Sequence, residues 1–348
     1  MPDSFLSLSP SIRKEALADA ANRMDLFPQI LEKDIWVVWA LETIFTSSLG
    51  NSLTFKGGTS LSKCYRAIKR FSEDIDLSLD IRKILSDKIK DGPPLPPTAS
   101  QAQKWTEAVN FRLPAWIENE VIPVLEVRLH AQGLDASIAG GDFSKGTLTV
   151  NYRSLFEELG YVRPDVRLEF GARSTGEPWE TLPVVCDIAH LFPDLVFPQC
   201  QARVLVMERT FWEKMTAIHV ICQGGKMRSD RFSRHWHDIA ALSSLARIQE
   251  GLSNTELLKQ VVEHKSRFFR EKDQSGREIS YQECLEGGMR LVPNQEVQQA
   301  LRVDYDLMTK ARYFHGEIVT FDGIIRTCAE LETKINRHHA QAIVGQGE

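Results

Sequence analysis

The chain has 348 residues and a formal net charge of −5, and 43% of its residues are hydrophobic. This composition is ordinary for a folded globular protein and argues against low-complexity disorder, while the length predicts two or three domains. The negative net charge excludes a global basic field of the kind that drives non-specific nucleic-acid binding. Any contact with RNA must therefore come from a local patch.

The six cysteines are scattered along the chain without a Cys-x-x-Cys pair. Their spacing predicts neither a zinc site nor a disulfide framework, which is the pattern expected in a reducing cytoplasm. The N-terminal residues lack the basic and apolar regions of a signal peptide, and no apolar run approaches membrane-spanning length. We therefore expect a cytoplasmic localisation and no membrane partner.

The first third of the chain begins with helices. Apolar side chains recur at helical spacing in residues 11–47, which predicts two helices that meet near Pro28. A short strand ending at Phe55 follows, and then a helix from about Thr59 to Arg70. Residues 91–97 are rich in proline and glycine, so they predict a surface connection rather than a helix or a central strand.

The next segment, up to about residue 195, alternates a helix with strands. The helix carries Trp105 and Val109 and is expected to break or end near Pro114. The predicted strands are Val124–Leu129, Thr147–Tyr152, Val166–Phe170 and Leu182–Val185. This alternation indicates an α/β arrangement.

From about Arg203 the pattern is helical almost throughout. The predicted helices are Met207–Cys222, Arg231–Leu245, Leu257–Phe269, Val297–Phe314 and Ile324–Ile335. We therefore predict two domains, residues 1–200 with an α+β fold built on a mixed sheet and residues 201–348 as an all-helical C-terminal domain.

A glycine turn follows the first predicted strand. Gly57 and Gly58 can adopt backbone angles closed to other residues, which lets a ligand approach the main chain. A helix that starts at Thr59 would point its unpaired N–H groups at this turn and favour an anion there. The turn alone is a weak signal, because many strand-to-helix turns use glycine for packing and the P-loop pattern is absent.

Two aspartates follow on a strand pattern. Asp74 and Asp76 lie two residues apart, with Ile75, Leu77 and Leu79 between and after them, so both carboxylates would share one face. Adjacent carboxylates repel and usually need a cation, and oxygen ligands suit Mg²⁺. The turn and the aspartates together predict a shared nucleotide and metal site, with exposed paired acids as the alternative.

A third carboxylate comes from Glu169. In residues 165–170 the apolar side chains point one way, while Arg167 and Glu169 point the other. Glu169 could act as a general base or as a further metal ligand. The alternative is a solvated glutamate paired with a neighbouring arginine.

The helical C-terminal half contains basic residues that could bind phosphate groups. Lys214 could reach phosphate oxygens as a point charge, although periodicity alone favours a solvated surface lysine. Arg228, Arg231 and Arg234 could form a basic rim for a triphosphate or an RNA backbone, or Arg234 and Asp238 could be a surface ion pair. The segment 264–272 mixes basic residues with two phenylalanines, which suits nucleic acid and an exposed helix face equally.

Taken together, these residues resemble the AbiEii/AbiGii nucleotidyltransferase toxins, a branch of the DNA polymerase β-like nucleotidyltransferase superfamily. The matching segments are Lys56–Lys63 and Arg70–Leu77, with looser matches at Glu32–Trp36, Val166–Phe170, Glu213–Lys214 and Arg234–Ile239. The resemblance spans most of the chain, and its first two motifs are specific in combination. It implies an α/β nucleotidyltransferase core followed by a helical lobe.

The resemblance also implies roles for single residues. By this resemblance the turn binds the triphosphate, Lys63 assists, and the aspartates hold Mg²⁺ or, alternatively, Mn²⁺. The predicted nucleotide-binding residues are Lys56, Gly57, Gly58, Thr59, Ser60, Lys63 and Arg234. The predicted metal ligands are Asp74, Asp76 and Glu169. The family's later motifs supply a catalytic lysine and aspartate, here Lys214 and Asp238, although His235-Trp236-His237 before Asp238 departs from the commoner Arg-Asp-x-x-Asp form.

Members of this family are toxins of type IV toxin–antitoxin or abortive-infection systems, and relatives of the MenT type modify the 3′ end of tRNA. We therefore predict a phage-defence toxin that transfers a nucleotide from an NTP to an acceptor hydroxyl on tRNA and has a cognate antitoxin. Two alternatives stay open. One is an antibiotic-modifying nucleotidyltransferase, which needs no basic rim, and the other is a non-catalytic nucleotide sensor, which has no need of three acids.

Overall fold

The computed structural model describes residues 3–90, 92–157, 162–225, 231–311, 313–314 and 316–344. The chain forms two compact units. Unit 1 comprises residues 1–64, 71–94 and 104–205, and unit 2 comprises residues 65–70, 95–103 and 206–348.

A mixed sheet is the centre of unit 1. Its strands are β2 (Leu53–Lys56), β3 (Ile75–Asp80), β4 (Ala136–Ala139), β5 (Thr147–Tyr152), β6 (Asp165–Ser174), β7 (Trp179–Val185) and β9 (Gln199–Leu205). The described residues pair in the order β4-β5-β6-β3-β2-β9-β7. Strand β3 lies between β2 and β6, antiparallel to the first and parallel to the second. Two short strands, β1 (Asp3–Ser4) and β8 (Leu195–Val196), form a separate parallel pair.

Helices accompany this sheet. They are α1 (Pro10–Met24), α2 (Pro28–Phe45), α3 (Gly57–Lys63), α4 (Ile81–Ile84), α5 (Ser86–Ile89), α6 (Ala99–Trp116) and α7 (Ile122–Gln132). Helix α2 is buried on almost every side and packs against β9, so it belongs to the core rather than to the surface. Proline at its first position suits a helix start, because the missing N–H would have no partner there.

The core of unit 1 follows from strand alternation. Ile75, Leu77 and Leu79 of β3 are fully buried, while Asp76 between them is half-buried on the other face. The neighbouring strands add further fully buried side chains, which are Phe55, Leu148, Val150, Val166, Leu168 and Val204. The predicted strand pattern around the aspartates is therefore confirmed.

Two local predictions were wrong. Residues 124–129 form part of α7 and not a strand, because Leu125 and Leu129 are buried at a spacing of four while Val127 is exposed. Helix α3 ends at Lys63 and not near residue 70, since Arg66 has a φ of 50°, which a right-handed helix cannot accommodate. Helix α6 ends at Trp116, two residues after Pro114, and a π-helical turn over Ile117–Val121 follows, so the predicted end near Pro114 is confirmed.

Helices are the main elements in the described part of unit 2 after Met207, as the sequence predicts, although residues 269–294 form turns and one short 3-10 helix. Its helices are α8 (Met207–Gly224), α9 (Ser233–Ser243), α10 (Ala246–Gly251), α11 (Thr255–Phe268), α12 (Gln295–Lys310) and α13 (Phe321–Val344). Helix α8 ends at Gly225, whose φ of 67° reverses the chain in the way a glycine C-cap does. No helix among the described residues is long and apolar enough to cross a membrane. Residues 200 and 201, where the predicted domain boundary falls, both lie in β9 of unit 1.

Candidate active site

Two of the predicted acids face each other across neighbouring strands. Asp76 on β3 is the register partner of Glu169 on β6. Lys56 on β2 is opposite Asp76 on the other side, and Thr147 on β5 is opposite Glu169. Residues directly opposite on paired strands point to the same face. Lys56, Asp76, Glu169 and Thr147 therefore form one polar row across four strands, which we call the acidic row.

Asp74 lies beside this row. It directly precedes the first pair in the β3–β6 ladder, Ile75 with Leu168, and it is half-buried. The sheet thus sets Glu169 beside Asp76, with Asp74 two residues before Asp76, although Glu169 is distant from the aspartates along the chain. The physical reason is the parallel pairing of β3 with β6, which the sequence pattern does not reveal.

Gly57 touches the acidic row directly. Its φ is 80°, in the left-handed region that glycine adopts without strain. A Cβ atom at this position would lie 2.0 Å from Oδ2 of Asp76. Two reasons therefore require glycine at this position. One is the backbone angle, and the other is that the Asp76 carboxylate occupies the space that a side chain would fill.

The hydroxyls of the turn are bonded within unit 1. Thr59 Oγ1 donates to the backbone carbonyl of Asp74 at 2.5 Å, and Ser60 Oγ donates to the carbonyl of Gly57 at 3.0 Å. Both residues are fully buried. Thr59 therefore fixes the main chain of Asp74 against α3, which begins at Gly57 rather than at Thr59. The contact of Thr59 and Ser60 with a triphosphate stays a prediction.

Lys63 is buried between two carboxylates. Its Nζ pairs with Asp34 on α2 and lies 2.8 Å from Oδ1 of Asp187, and its side chain is 5% exposed. Burial opposes the charged form, but Asp34 and Asp187 outweigh it and raise the pKa of Lys63 to about 12. Burial and the neighbouring Asp187 raise the pKa of Asp34 to about 6, despite Lys63. This lysine therefore ties α3 to α2, and its contact with phosphate stays a prediction.

Helix α2 carries two further buried charges that sequence reasoning left without a role. Lys33 Nζ lies 2.6 Å from Oε2 of Glu73 and 3.3 Å from Oδ1 of Asp165. Glu32 accepts hydrogen bonds from the Ser154 hydroxyl and the backbone N–H of Leu155. The available signal was three consecutive charged residues in an otherwise apolar helix.

Lys33 binds acidic residues at the starts of β3 and β6, the strands that carry Asp76 and Glu169. Glu73 immediately precedes Asp74, and Asp165 is the first residue of β6. One ammonium group therefore holds the chain just before Asp74 and just before the segment that leads to Glu169.

Glu169 has a close cationic neighbour. Arg167 Nε lies 3.1 Å from Glu169 Oε1, and the two side chains are 52% and 39% exposed. The ion pair that the sequence offered as the alternative explanation is therefore present. An exposed pair of this kind contributes only about 0–1 kcal/mol, so it does not remove Glu169 from chemistry. Its role as a base or metal ligand stays a prediction.

The acidic row fits a divalent metal that binds together with its substrate. No group of three or more His, Cys, Asp or Glu side chains in the described part of the chain is arranged to hold a metal ion. Asp76 and Glu169 nevertheless stand side by side. Mg²⁺ is commonly bound through one or two carboxylates, with substrate phosphates and water completing its octahedron. The chemistry of this pair therefore suits Mg²⁺, although the metal stays a prediction.

A second charged cluster lies inside unit 2. Arg70 donates from Nε and Nη2 to the two carboxylate oxygens of Asp238, at 2.7 and 2.8 Å. Lys214 Nζ lies 2.9 Å from Oδ2 of the same carboxylate. Asp238 is fully buried, and Arg70 and Lys214 are nearly so. Two cations therefore share one carboxylate, and we call these three residues the Asp238 cluster.

Burial and neighbouring charges both shift the pKa values of the ionisable groups in this cluster. Burial alone would raise the pKa of Asp238, but Arg70 and Lys214 outweigh it and hold that pKa well below its usual value. Burial lowers the pKa of Lys214, and the attraction of Asp238 offsets this only in part. Burial, together with Lys214 and Arg234, holds the pKa of His235 well below its usual value. Asp238 is therefore an orienting anion for two cations.

Two interpretations from the sequence are wrong at this cluster. Lys214 is not a solvated surface lysine, and Asp238 is not part of an exposed ion pair. Helical periodicity placed Lys214 at the margin of the buried face, but only the tertiary structure supplies the carboxylate that makes its burial tolerable. Sequence reasoning also missed Arg70, although it lies in the stretch that contains Asp74.

The predicted basic rim is only partly described. Arg228 lies outside the described residues. The backbone N–H of Arg231 donates to Asp304 at 2.6 Å, and Arg234 is half-buried on α9. In the segment 264–272, Arg270 pairs with Glu278 at 2.8 Å. At least one of these basic side chains, Arg270, therefore pairs with an acid of unit 2.

Comparisons with known proteins add independent findings. A family model described as "Nucleotidyl transferase AbiEii toxin, Type IV TA system" matches residues 39–324, a range that contains the acidic row, the glycine turn and the Asp238 cluster. No curated protein sequence matches the chain. Among solved structures, the chain is similar to MenT4, a nucleotidyltransferase toxin from Mycobacterium tuberculosis H37Rv. The identity is 15% and the TM-score 0.40, over 96% of this chain and 98% of that chain.

Proposed function

Because the chain belongs to the AbiEii family of nucleotidyltransferase toxins of type IV toxin–antitoxin systems, we propose that it transfers a nucleotide from an NTP to the 3′ hydroxyl of a tRNA. The observation that carries this proposal is the register of β3 and β6, which sets Asp76 beside Glu169 and next to the Gly57 turn. Such a site has carboxylates for a metal and a close backbone for phosphates.

The reaction is an in-line displacement at the α-phosphorus. The acceptor oxygen forms a bond to this phosphorus, the bond to the bridging oxygen breaks, and pyrophosphate leaves. Glu169 takes the proton of the attacking hydroxyl as general base. Asp74 and Asp76 would hold the divalent cation. Mg²⁺ or Mn²⁺, when bound, neutralises the charge that develops on the phosphate oxygens. The protein's part is positioning and charge neutralisation.

Lys214, which the family resemblance identifies as a catalytic lysine, belongs to the Asp238 cluster. Asp238 orients Lys214, whose ammonium group is the point charge for a phosphate oxygen. Arg70 binds the same carboxylate, so Asp238 fixes the positions of both cations. Asp238 is in this view a positioning residue, which fits its complete burial.

The test is a transfer assay with purified protein. The protein is incubated with MgCl₂ or MnCl₂, total tRNA and each of four α-labelled NTPs. We expect label on tRNA with at least one NTP, its loss on addition of EDTA, and its loss in Asp74→Ala, Asp76→Ala and Lys214→Met.

The matched acidic control for this assay is Asp87→Ala. Asp87 is an exposed aspartate that pairs with Arg112 and lies outside the acidic row. Its substitution should leave transfer at the level of the wild type. Absence of label with every NTP, or full activity of Asp76→Ala, would overturn the proposal.

The same assay separates the alternatives. Label on an aminoglycoside but not on tRNA would identify an antibiotic-modifying enzyme. Binding of an NTP by calorimetry without release of pyrophosphate would identify a sensor. A cytoplasmic location, a role in phage defence and a cognate antitoxin belong to the same proposal, and co-purification of the tagged chain from its native host tests the last.

A further inference from the structure

Arg167 lies next to Glu169 of the acidic row, and the proposed reaction gives it no role. It precedes Glu169 by two residues on β6, so both side chains share a face, and its Nε lies 3.1 Å from Glu169. Arg167 directly precedes Leu168, the β6 partner of Ile75, just as Asp74 directly precedes Ile75. The guanidinium group therefore lies next to one carboxylate of the acidic row, and half of its surface is open to solvent.

The sheet order decides which side of the acids Arg167 occupies. The glycine turn leaves β2, which is one neighbour of β3, whereas β6 is the other neighbour. The turn and Arg167 therefore flank the aspartates from opposite sides. With the triphosphate at the turn, pyrophosphate departs on the β2 side, and an in-line attack brings the acceptor from the β6 side.

An acceptor that approaches three carboxylates needs a cation if it is itself an anion. We propose that Arg167 binds a phosphodiester of the acceptor RNA, close to its terminal hydroxyl. This inference rests on the proposed function and names the residue that receives the acceptor. The planar guanidinium matches two phosphate oxygens at once, and the exposed contact with Glu169 is weak enough to be exchanged for them.

A second cation lies on the same side. Lys145 is 75% exposed, and it lies two residues before Thr147, the β5 partner of Glu169. Its Nζ is 2.8 Å from Asp142 at the surface. Arg167 and Lys145 are thus two exposed cations near the β6–β5 side of the row, each in an exposed pair that a phosphate could replace.

The test compares Arg167→Gln and Arg167→Lys with Arg153→Gln. Arg153 is the matched control, because it is an exposed arginine paired with Asp135 beyond the other end of β5. We expect Arg167→Gln to raise the KM for tRNA by about tenfold, as for loss of one strong phosphate contact, without changing the KM for the NTP. Arg167→Lys should lie between Arg167→Gln and the wild type, and Arg153→Gln should match the wild type. A raised KM for the NTP alone would assign Arg167 to the triphosphate and overturn the inference.

Binding without NTP keeps this inference separate from the proposed function. Fluorescence anisotropy with labelled tRNA measures affinity at several salt concentrations, whether or not transfer is detected. Arg167→Gln should bind more weakly than the wild type, with a salt slope that is smaller by about one. Equal affinity and equal slope in the wild type, Arg167→Gln and Arg153→Gln would overturn the inference. Absence of transfer by the wild type would overturn only the proposed function.

Discussion

At the scale of single residues, Gly57 couples backbone conformation to the acidic row. Gly57→Ala introduces a Cβ at a φ of 80° and 2.0 Å from Asp76 Oδ2. We expect nucleotide transfer to be lost, because the Asp76 carboxylate must leave its present position beside the turn. Strain from the left-handed backbone should also lower the free energy of unfolding by about 1–2 kcal/mol.

Gly133→Ala is the control for this prediction. Gly133 has a φ of 59°, and a Cβ there would meet no atom within 4 Å. Both variants should lose stability in urea unfolding from the left-handed backbone, and Gly57→Ala should lose more because of the clash with Asp76. Only Gly57→Ala should lose transfer. Equal transfer by both variants would show that the contact with Asp76 has no catalytic consequence.

Asp34 gives a prediction for pH. Its pKa of about 6 in the folded protein lies above the ordinary aspartate value, because of burial and the nearby Asp187. Between about pH 4 and pH 6 the folded state therefore binds a proton that the unfolded state does not bind, so the free energy of unfolding decreases as the pH rises through this window. Asp34→Asn removes this contribution.

The measurement is urea unfolding of the wild type and Asp34→Asn at several pH values. The stability of the wild type relative to the variant should fall as the pH rises from about 4 to about 6. Lys63 stays charged throughout, since its pKa is raised to about 12. A difference in stability that does not change with pH would contradict the assignment.

At the scale of elements, α2 organises the site without contributing to its chemistry. Lys33→Met removes the ammonium group that lies 2.6 Å from the buried Glu73 carboxylate, and breaking a buried ion pair typically costs about 3–5 kcal/mol. Because Glu73 precedes Asp74, the variant should also transfer nucleotide more slowly. Adding Glu73→Gln neutralises this carboxylate, so the double variant should be more stable than the sum of the single changes predicts.

A double-mutant cycle tests this role of α2. Free energies of unfolding for Lys33→Met, Glu73→Gln and the double variant should give a coupling of about 1–3 kcal/mol. Partial recovery of transfer in the double variant would link the ion pair to the position of Asp74. Strict additivity of the effects on stability and activity would mean that the Lys33–Glu73 ion pair does not fix the position of Asp74.

At the scale of the whole molecule, the chain is a toxin whose action should need the acidic row. Induced expression of the wild type in a bacterial host should stop growth, and expression of Asp76→Ala should not, because the carboxylate next to Glu169 is lost. The 3′ ends of tRNA extracted from arrested cells should carry added nucleotides. Growth arrest by Asp76→Ala at equal protein levels would separate toxicity from this site.

The sequence by itself determined the local chemistry. Alternation around Ile75, Leu77 and Leu79 placed the aspartates on the face opposite the core, since strand side chains alternate. The glycine pair marked a turn with special backbone angles, and Gly57 has one. The helical character of the C-terminal half also followed from periodicity alone. These features depend on neighbours in the chain, which a sequence displays directly.

Only the tertiary structure decided which distant residues meet. The parallel pairing of β3 with β6 set Glu169 beside Asp76, and the carboxylate of Asp238 drew Lys214 and Arg70 into a buried cluster. Buried charges are tolerated only when a partner is present, and that partner is generally remote in the chain. Periodicity therefore misplaced Lys214 at the surface.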